Sequence, residues 1–398
     1  MKVGFWGNFG THNLGNECTL NAMLDGARRH LSNAELVGVC SDPSDTEPRH
    51  HVAAVPIARE PEPSFLPLPG PLGRVRRPVW ELADWVRVLR AMRELDMLVV
   101  TGTGIITDAN EGKLGMPYQM FKWVVAARLT GRKVKFVSVG AEKLSQPLQL
   151  FFLRWSLRLA EYRSYRDGIT RKRAEGLLPS AGTDPLYPDL AFSLPKALTS
   201  PAPKPAGAPT TVAVGIYAVE SDEATKQAYV ETIGQFVLWL LERGYRTRIV
   251  IGDVRYDTPM LEQLRAWLRA HDALSRVVDE PVASFEDLLQ QLADADLVVA
   301  TRFHNVLLSV LLGKPVVSIS HMDKNDALMQ ALGLSAYCHG LAGVDLALVI
   351  RLFQDLERDR DKVVSLIQDK LELFRNQLER QYQIVFGEHV GSSLGETP

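Results

Sequence analysis

The chain has 398 residues, a length that exceeds one ordinary hydrophobic core and predicts two domains. Its formal net charge is -2, which excludes a protein that binds nucleic acid through a broadly basic surface. The three cysteines, Cys18, Cys40 and Cys338, are widely spaced and form no CxxC pair, so the pattern argues against a disulfide framework or a zinc site and favours a reducing compartment.

The run from Met1 to Trp6 is apolar, but it lacks the basic region and the long apolar core of a signal peptide. No stretch approaches the roughly 18 uncharged apolar residues of a membrane span. We therefore expect a cytoplasmic protein. We also expect no metal cofactor, because the sequence has no compact cluster of Asp and His.

Short apolar runs in the first half are typical of buried parallel strands, and the longer patterns between them predict helices. Strands are predicted at Val3–Trp6, Leu36–Cys40, Met97–Thr101, Val134–Val139 and Tyr162–Tyr165. Helices are predicted at about 16–31, 79–94, 117–129 and 147–160.

The second half repeats this scheme. Strands are predicted at Thr211–Ile216, Arg246–Ile251, Leu297–Ala300 and Pro315–Ile319. Helices are predicted at about 223–242, 257–271, 284–293, 303–312 and 325–332. This alternation predicts an α/β fold of two Rossmann-like domains with parallel sheets.

Composition sets the domain boundaries. The stretch Pro195–Pro209 is rich in proline, predicts no helix and is interpreted as an interdomain linker. A long helical pattern rich in Leu and charge follows Val344 and allows one break. The predicted division is 1–195 for an N-terminal domain, 196–210 for the linker, 211–343 for a C-terminal domain, 344–385 for a helical segment and 386–398 for a tail.

A second proline-rich stretch, Pro56–Pro78, predicts a long surface loop inside the first domain. Three arginines near its end precede a helix that carries two tryptophans, namely Arg74, Arg76, Arg77, Trp80 and Trp85. One interpretation is a solvated loop that packs on its own domain. The other is a peripheral contact of residues 72–90 with an anionic membrane at the inner face of the plasma membrane.

Ligands of open α/β sheets bind beyond the carboxyl ends of strands, so the residues that follow each strand are candidates for ligand binding. After the first strand, Gly7, Gly10 and Gly15 allow close approach of backbone N–H groups to a ligand. Asn16 is predicted to cap the next helix, with Glu17 in its first turn. The pattern is neither a Walker loop nor GxGxxG, and a plain strand-to-helix connection is the alternative.

The strand 97–101 ends in Gly102, Thr103 and Gly104, and Asp108 follows a few residues later. This glycine-containing strand end again exposes backbone to a ligand. It predicts a substrate contact, and the alternative is a turn in which Asp108 is a solvent-facing cap.

The strand 297–300 runs into Thr301, Arg302, Phe303 and His304. Thr301 is predicted to cap the following helix, whose N-terminus attracts anions. Arg302 matches phosphate or carboxylate, and His304 lies one turn into the helix, where it can transfer a proton near neutral pH. The alternative is that Arg302 pairs with a carboxylate and His304 is a packed polar residue.

Two further cations are candidates for the same anion. Lys324 follows the strand 315–319 in a predicted loop that neighbours Arg302, and an ordinary surface lysine is the alternative. Arg166 lies at the end of the short strand 162–165 in a basic stretch, and we expect it to point into an interdomain cleft.

Together these pieces resemble the polysaccharide pyruvyl transferase family. The opening pattern GN-x-G-x-x-N-x-G-D-E stands here as Gly7-Asn8-Phe9-Gly10-Thr11-His12-Asn13-Leu14-Gly15-Asn16-Glu17. The later features are matched by Gly102-Thr103-Gly104, Asp108, Arg166-Asp167, Pro188-Asp189-Leu190-Ala191-Phe192, Thr301-Arg302-Phe303-His304, Gly313-Lys314-Pro315 and Lys324. Asn16 stands where the family has Asp, and Thr103 stands where it has Gly.

The resemblance implies a GT-B-like fold in which two Rossmann-like domains face a central cleft, and a C-terminal helix that crosses back to the first domain. It implies transfer of a pyruvyl group from phosphoenolpyruvate to two hydroxyls of a sugar or lipid-linked oligosaccharide in cell-surface polysaccharide biosynthesis. Donor-binding residues are then Arg302, His304, Arg166, Lys324, Thr301 and Phe303, with Arg302 and His304 catalytic. Acceptor-binding residues are Asn8, Gly10, Asn13, Asn16, Glu17, Gly102, Thr103, Gly104 and Asp108.

Two other functions remain open from the sequence. The first is a glycosyltransferase of the same fold with a nucleotide-sugar donor, because Arg302 and Lys324 would bind a diphosphate equally well. The second is a non-catalytic scaffold of polysaccharide assembly that has kept the fold.

Overall fold

The structure is a computed structural model that describes residues 1–59, 71–108, 112, 114–142, 144–199, 207–219, 221–320 and 322–387; for residues 71–77 it describes the backbone only. The chain divides into two compact units. Unit 1 comprises Met1–Thr11, Thr19–Leu190 and Gln377–Pro398, and unit 2 comprises His12–Cys18 and Ala191–Asn376. Each unit therefore draws on both ends of the sequence.

Unit 1 contains a parallel sheet with six described strands. They are β1 (Lys2–Trp6), β2 (Glu35–Cys40), β3 (Ala53–Pro56), β4 (Met97–Thr101), β5 (Lys133–Val139) and β6 (Tyr162–Tyr165), in the order β3-β2-β1-β4-β5-β6. Chain order reverses between β1 and β4, which is where an open sheet of this kind offers a ligand crevice.

The helices of unit 1 cover this sheet. Because its strands are buried, their sequences are nearly continuous apolar runs. The helices are α1 (Leu14–His30), α2 (Pro43–His50), α3 (Pro71–Glu94), α4 (Met116–Leu129), α5 (Pro147–Leu159) and α6 (Gly168–Leu177). The first residues of α1, Leu14–Cys18, belong to unit 2. The core centres on side chains with no solvent exposure, including Trp6, Val100, Trp123 and Phe136.

Unit 2 contains a parallel sheet with five described strands. They are β7 (Thr211–Gly215), β8 (Arg246–Val250), β9 (Leu297–Ala300), β10 (Val316–Ser320) and β11 (Cys338–Gly340), in the order β11-β10-β9-β7-β8. The strand β7 is flanked by β8 on one side and β9 on the other, so the reversal point of this sheet lies at β7.

The helices of unit 2 follow the same alternation. They are α7 (Lys196–Thr199), α8 (Glu223–Glu242), α9 (Val254–Ala270), α10 (Phe285–Ala293), α11 (Phe303–Leu311), α12 (Asp323–Leu332), α13 (Leu346–Arg358) and α14 (Arg360–Phe386). The helical segment predicted after Val344 is thus two helices with one break at Asp359. Residues 360–376 of α14 belong to unit 2, and residues 377–386 belong to unit 1.

The predicted α/β class with two parallel-sheet domains is confirmed. Two proline-based expectations were wrong within the described residues. The helix predicted from about residue 79 begins at Pro71, so the last part of Pro56–Pro78 is helix rather than loop, and a proline is tolerated at a first helical position. Lys196–Thr199 forms one helical turn inside the stretch interpreted as linker, while residues 60–70, 200–206 and 388–398 lie outside the described part.

Candidate functional site

A cavity of about 390 Å³ opens at the carboxyl edge of the sheet in unit 2. Its wall includes the segments that follow β7, β8 and β9, so it lies at the reversal point of the sheet. Its volume suits a small ligand. The lining residues are Asn13, Tyr217, Ala218, Val219, Ser221, Lys226, Asp253, Tyr256, Pro259, Met260, Gln263 and Arg302.

The guanidinium of Arg302 is held by the carboxylate of Asp257. Nε lies 3.0 Å and 2.9 Å from the two carboxylate oxygens of Asp257, and Nη2 lies 2.7 Å from Oδ1. Burial lowers the pKa of Arg302, but the hydrogen bonds and charge of Asp257 outweigh it, so the pKa is raised overall. Arg302 therefore pairs with a carboxylate, as the alternative interpretation of the sequence predicted. It also lines the cavity.

Asp257 is itself fixed by the backbone and is fully buried. It accepts hydrogen bonds from the N–H groups of Ala218, Gly252 and Asp253 at 3.0, 3.2 and 3.0 Å. These donors come from the segments after β7 and β8, and Arg302 follows β9. The carboxylate of Asp257 therefore contacts the segments that follow three strands. The sequence reasoning missed Asp257, because it lies 45 residues before its partner.

Asp253 is a second buried carboxyl group that lines the cavity. It caps α9 by accepting hydrogen bonds from the N–H groups of Arg255 and Tyr256, and it accepts a further one from the amide of Asn13 at 3.1 Å. Burial raises the pKa of Asp253, although the N–H of Tyr256 and the charge of Arg302 oppose the shift. An Asp just before a helix is a cap signal, but the sequence analysis missed it because it predicted this helix only from about residue 257.

Aromatic and basic side chains complete the cavity wall. The guanidinium carbon of Arg302 lies 4.8 Å from the centre of the Tyr217 ring, which is a cation–π arrangement. Lys226 also lines the cavity and pairs with Glu223 at 2.7 Å. The wall thus combines two cations with apolar and aromatic surface.

The predicted cap at Thr301 was wrong. Arg302 is the capping position of α11, and no side chain caps it. Thr301 is fully buried; its hydroxyl lies 3.0 Å from that of Tyr229, and its carbonyl accepts a hydrogen bond from Asn325 at 2.9 Å.

His304 packs directly on the backbone of Gly15. A Cβ atom at position 15 would lie 1.8 Å from Nδ1 of His304, so only glycine fits there. Both residues belong to unit 2. The ring of His304 is partly exposed and makes an edge contact with the neighbouring ring of Phe303, with centres 5.1 Å apart.

Lys324 lies in the first turn of α12, not in a loop as predicted. Its Nζ is 5.7 Å from the centre of the Phe303 ring, and the neighbouring Asn325 bonds the Thr301 carbonyl. The expected proximity of this segment to the segment after β9 is therefore present. The loop after β10 also contains His321, which lies outside the described residues.

The loop after β1 is divided between the two units. Asn8 and Gly10 belong to unit 1, where Asn8 accepts a hydrogen bond from Ser41 at 2.7 Å and Gly10 has a positive φ of 73°. Asn13, Asn16 and Glu17 belong to unit 2. Asn16 is not a cap, because α1 begins at Leu14 and the N–H of Asn16 bonds to the side chain of Asn13 instead.

The predicted acceptor residues after β4 lie beside the β1 end in the same sheet. Gly102 is packed against the Ser138 carbonyl, where a Cβ atom would lie 2.7 Å from the oxygen. Thr103 is buried, and its hydroxyl has no hydrogen-bond partner among the described residues. At Gly104 a Cβ atom would have room.

Asp108 is buried and is not the solvent-facing cap of the alternative interpretation. Its Oδ2 accepts hydrogen bonds from the N–H groups of Ser145 and Gln146, just before α5. It therefore fastens the loop that leads into α5. The residues directly after Asp108 lie outside the described part.

Arg166 lies in unit 1, as do the predicted acceptor residues Asn8, Gly10, Gly102 to Gly104 and Asp108. Its side chain covers Gly140 and lies 3.4 Å from carboxylate oxygens of both Asp167 and Asp189. Its N–H bonds to the carbonyl of Val139 at the end of β5. The donor-binding role assigned to Arg166 remains a prediction.

Among the described residues, no group of three or more His, Cys, Asp or Glu side chains is placed to hold a metal ion. Within the same residues, no helix combines the length and the apolar character needed to cross a bilayer.

Several solved structures have a similar fold. Anabaena HepE in complex with UDP and glucose matches with a TM-score of 0.61 and 14% identity, covering 98% of this chain and 100% of that one. S. aureus MnaA with UDP matches with a TM-score of 0.65 and 8% identity, covering 100% and 98%. The lipopolysaccharide outer core galactosyltransferase WaaB matches with a TM-score of 0.51 and 13% identity, covering 99% and 100%.

These likenesses establish a GT-B-like fold, and at such low identity they concern the fold alone. A comparison with curated protein sequences gives no match. The model of the polysaccharide pyruvyl transferase family matches residues 13–323, and the chain therefore belongs to this family of transferases.

Proposed function

We propose that this transferase moves a pyruvyl group from phosphoenolpyruvate onto two hydroxyls of a sugar, which become a cyclic ketal while phosphate is released. The observation that carries the proposal is the guanidinium of Arg302, which Asp257 holds beside a cavity at the carboxyl edge of unit 2. The family of the chain supplies the reaction class.

Donor binding needs fixed positive groups, because phosphoenolpyruvate carries a phosphate and a carboxylate. Asp257 engages Nε and Nη2 of Arg302, which leaves Nη1 for a ligand oxygen. The N-terminal turn of α11, Lys226 on the cavity wall and Lys324 beside Phe303 add further positive potential. A preorganised cation of this kind stabilises charge without reorganisation during the reaction.

The reaction requires balanced proton transfers. A proton adds to C3 of the enol, which becomes the methyl group, and C2 becomes oxocarbenium-like. The first hydroxyl bonds to C2 and loses its proton. The C2–O bond to phosphate then breaks, phosphate leaves with the bonding electrons and accepts a proton, and the second hydroxyl bonds to C2 and loses its own.

His304 is the proposed acid, either for C3 or for the departing phosphate. His304 is the second residue of α11 and its ring is partly exposed, so it can reach a ligand at the helix N-terminus. General acid–base help of this kind contributes roughly 10²–10⁴-fold to rate.

The acceptor is proposed to be a sugar or a lipid-linked oligosaccharide that binds at the carboxyl edge of unit 1. The ends of β1 and β4 place Asn8, Gly10 and Gly102 to Gly104 along neighbouring strands. The buried hydroxyl of Thr103 offers an unused hydrogen bond there. We propose no resident cofactor, because the steps are proton transfers and changes of C–O bonds.

A nucleotide-sugar donor is the second candidate. The aromatic rings of Tyr217 and Tyr256 and the amide of Gln263 line the same cavity, and they would suit a base and a ribose. HepE and MnaA are solved with UDP. Phosphoenolpyruvate requires cations for its phosphate and carboxylate, whereas a nucleotide sugar also requires contacts for a base and a ribose. A comparison of the binding of these two donors therefore separates the candidates.

The test is thermal stabilisation of the wild-type chain by phosphoenolpyruvate, UDP and a panel of UDP-sugars. A ligand at 100 times its dissociation constant adds about 2.7 kcal/mol to the free energy of unfolding. We expect a shift with phosphoenolpyruvate that Arg302→Ala abolishes. Arg265→Ala is the matched control, because Arg265 makes the same two-pronged contact with Asp279 outside the cavity.

Release of phosphate from phosphoenolpyruvate in the presence of a sugar acceptor then tests turnover. A shift with nucleotide sugars alone would favour the glycosyltransferase. Near-normal phosphate release by Arg302→Ala would rule out the assigned donor site. A chain that binds none of these ligands would fit the non-catalytic scaffold instead.

A further inference from the structure

The helices α3, α4 and α5 form one layer on the outside of unit 1. The middle helix α4 packs against both of its neighbours. On one side the indole N–H of Trp85 donates to the hydroxyl of Tyr118 at 3.0 Å. On the other side the rings of Phe121 and Phe151 lie 6.3 Å apart. The outward faces of these helices therefore belong to one surface.

The outward face of α5 is apolar, which is unusual for a helix that faces solvent. Leu148, Phe151 and Trp155 are 44%, 49% and 36% exposed. Their spacing of three and four residues places them along one stripe. The opposite face of α5 packs into the core through Leu153 and Leu157, so the stripe lies outside the core contacts of this helix.

The helix α3 presents a second apolar stripe on the same layer. Val79, Leu82 and Val86 are 61%, 67% and 39% exposed. Leu129 at the end of α4 is 71% exposed. Seven of the thirteen exposed large hydrophobic side chains in the described residues thus belong to α3, α4 and α5, which concentrates them on one surface.

The charge on this surface is positive. The helices α4 and α5 contain no acidic residue, and α5 exposes Arg154 and Arg158 beside its apolar stripe. The guanidinium carbon of Arg158 lies 5.1 Å from the centre of the Trp155 ring. In α3, Glu81 and Asp84 are engaged by the buried Lys122.

We propose that the α3–α5 surface, defined by Leu148, Phe151, Arg154, Trp155 and Arg158 together with the stripe on α3, docks on an anionic lipid bilayer. Exposed Phe, Leu and Trp insert at the boundary between headgroups and acyl chains, while arginines bind the lipid phosphates. The positive charge favours a lipid surface over a second copy of the same basic face, which would repel it.

This proposal stands apart from the proposed reaction, because none of these residues lines the cavity of unit 2. The sequence suggested a membrane contact through residues 72–90, and the surface proposed here differs from it. The stripe on α3 lies within that range, the centre of the surface is α5, and the side chains of Arg74, Arg76 and Arg77 lie outside the described residues.

The experiment is flotation of the full chain with vesicles of phosphatidylcholine alone and of phosphatidylcholine mixed with phosphatidylglycerol. We expect binding to the mixed vesicles that weakens as salt rises. Phe151→Ser with Trp155→Ser should abolish it. Arg154→Glu with Arg158→Glu should weaken it by about fivefold or more for each arginine.

Matched controls come from exposed residues elsewhere. Leu373→Ser with Ile384→Ser removes equally exposed apolar side chains from α14, and Arg269→Glu with Arg276→Glu reverses exposed arginines of unit 2. These controls should bind mixed vesicles like the wild type. All variants should keep the wild-type melting temperature, because the changed side chains are exposed.

Three outcomes would overturn the proposal. The first is a wild-type chain that does not float with either vesicle. The second is equal binding by the surface variants and their controls. The third is a lipid-free dimer, seen by sedimentation, that Phe151→Ser with Trp155→Ser converts to monomer, since a second copy would then cover this surface.

Discussion

At the scale of single residues, the contact between Arg302 and Asp257 governs the proposed donor site. Removal of one partner from a buried ion pair costs about 3–5 kcal/mol, because the other charge is left without compensation. We expect Asp257→Asn to lose phosphoenolpyruvate binding, measured by ligand-induced melting shifts. We also expect its free energy of unfolding, measured by urea unfolding, to fall by a large part of this cost. Asp279→Asn, which breaks the same kind of contact with Arg265 outside the cavity, should leave donor binding intact.

The role of His304 gives a second prediction at this scale. We expect His304→Ala to bind phosphoenolpyruvate with nearly wild-type affinity and to lose roughly 10²–10⁴-fold in turnover, because the side chain is proposed to move a proton rather than to bind charge. The measurement compares donor affinity with the rate of phosphate release. Loss of binding with little further loss of turnover would make His304 a ligand contact instead of the acid.

Sequence patterns found one half of this site and missed the other. Arg302, which lines the cavity, was visible because a buried strand leads directly into a helix at that point, and such a junction attracts anions. The role of His304 remains a prediction. Asp257 was not visible, because its role depends on tertiary contacts with Ala218, Gly252 and Arg302. Thr301 has the chemistry of a cap, but its hydroxyl is directed to Tyr229 in the core.

At the scale of secondary structure elements, the polar network between α3 and α4 makes stability depend on pH. Burial opposes ionisation of Asp84, but hydrogen bonds from Arg87 and Lys122 outweigh it and lower the pKa of Asp84 below its ordinary value of 3.8. A lowered pKa in the folded state stabilises the fold above the ordinary value, and this contribution is lost as the pH falls below it.

We therefore expect Asp84→Asn to lower the free energy of unfolding at neutral pH. The difference from the wild type should shrink as the pH falls below about 4, because the carboxyl group then takes up a proton in the unfolded wild-type chain before it does so in the folded one. Urea unfolding of both chains between pH 7 and pH 3 measures this difference. A difference that stays constant over this range would contradict the assignment of the effect to the charge of Asp84.

The secondary structure elements differ in how clearly the sequence predicts them. The interior strands β4 and β9 have the predicted bounds, because both faces are buried and every residue is apolar or small. The edge strands β3 and β11 are short and partly exposed, and β3 ends in a proline, so neither was predicted. The short helix α2 contains two prolines and few apolar residues, so only its cap at Asp42 signals it.

At the scale of the whole molecule, unit 1 is built from distant parts of the sequence. Tyr382 and Phe386 of α14 are fully buried there, and the ring of Tyr382 fills the space above Gly26 in α1. The buried amine of Lys135 in β5 donates to the carbonyl of Val385 at 2.7 Å. The end of α14 is therefore part of the core of unit 1.

We expect Tyr382→Ala to cost about 3–5 kcal/mol, the range for removing a large buried aromatic side chain. Ile384→Ala is the control on the same helix, because Ile384 is 47% exposed, and it should cost little. Urea unfolding followed by hydrogen exchange at β1 and β5 measures both effects. Equal costs for the two substitutions would show that α14 does not complete this core.

The divided construction of unit 1 has a consequence for synthesis. The core around Gly26 cannot close until Tyr382 and Phe386 have left the ribosome, and residues 191–376 are made in between. At the usual rate of about 5–20 residues per second, this interval lasts roughly 10–40 s. For that time the part of α1 around Gly26 lacks the side chains that cover it, so unit 1 should complete its core later than a domain built from one continuous stretch of sequence.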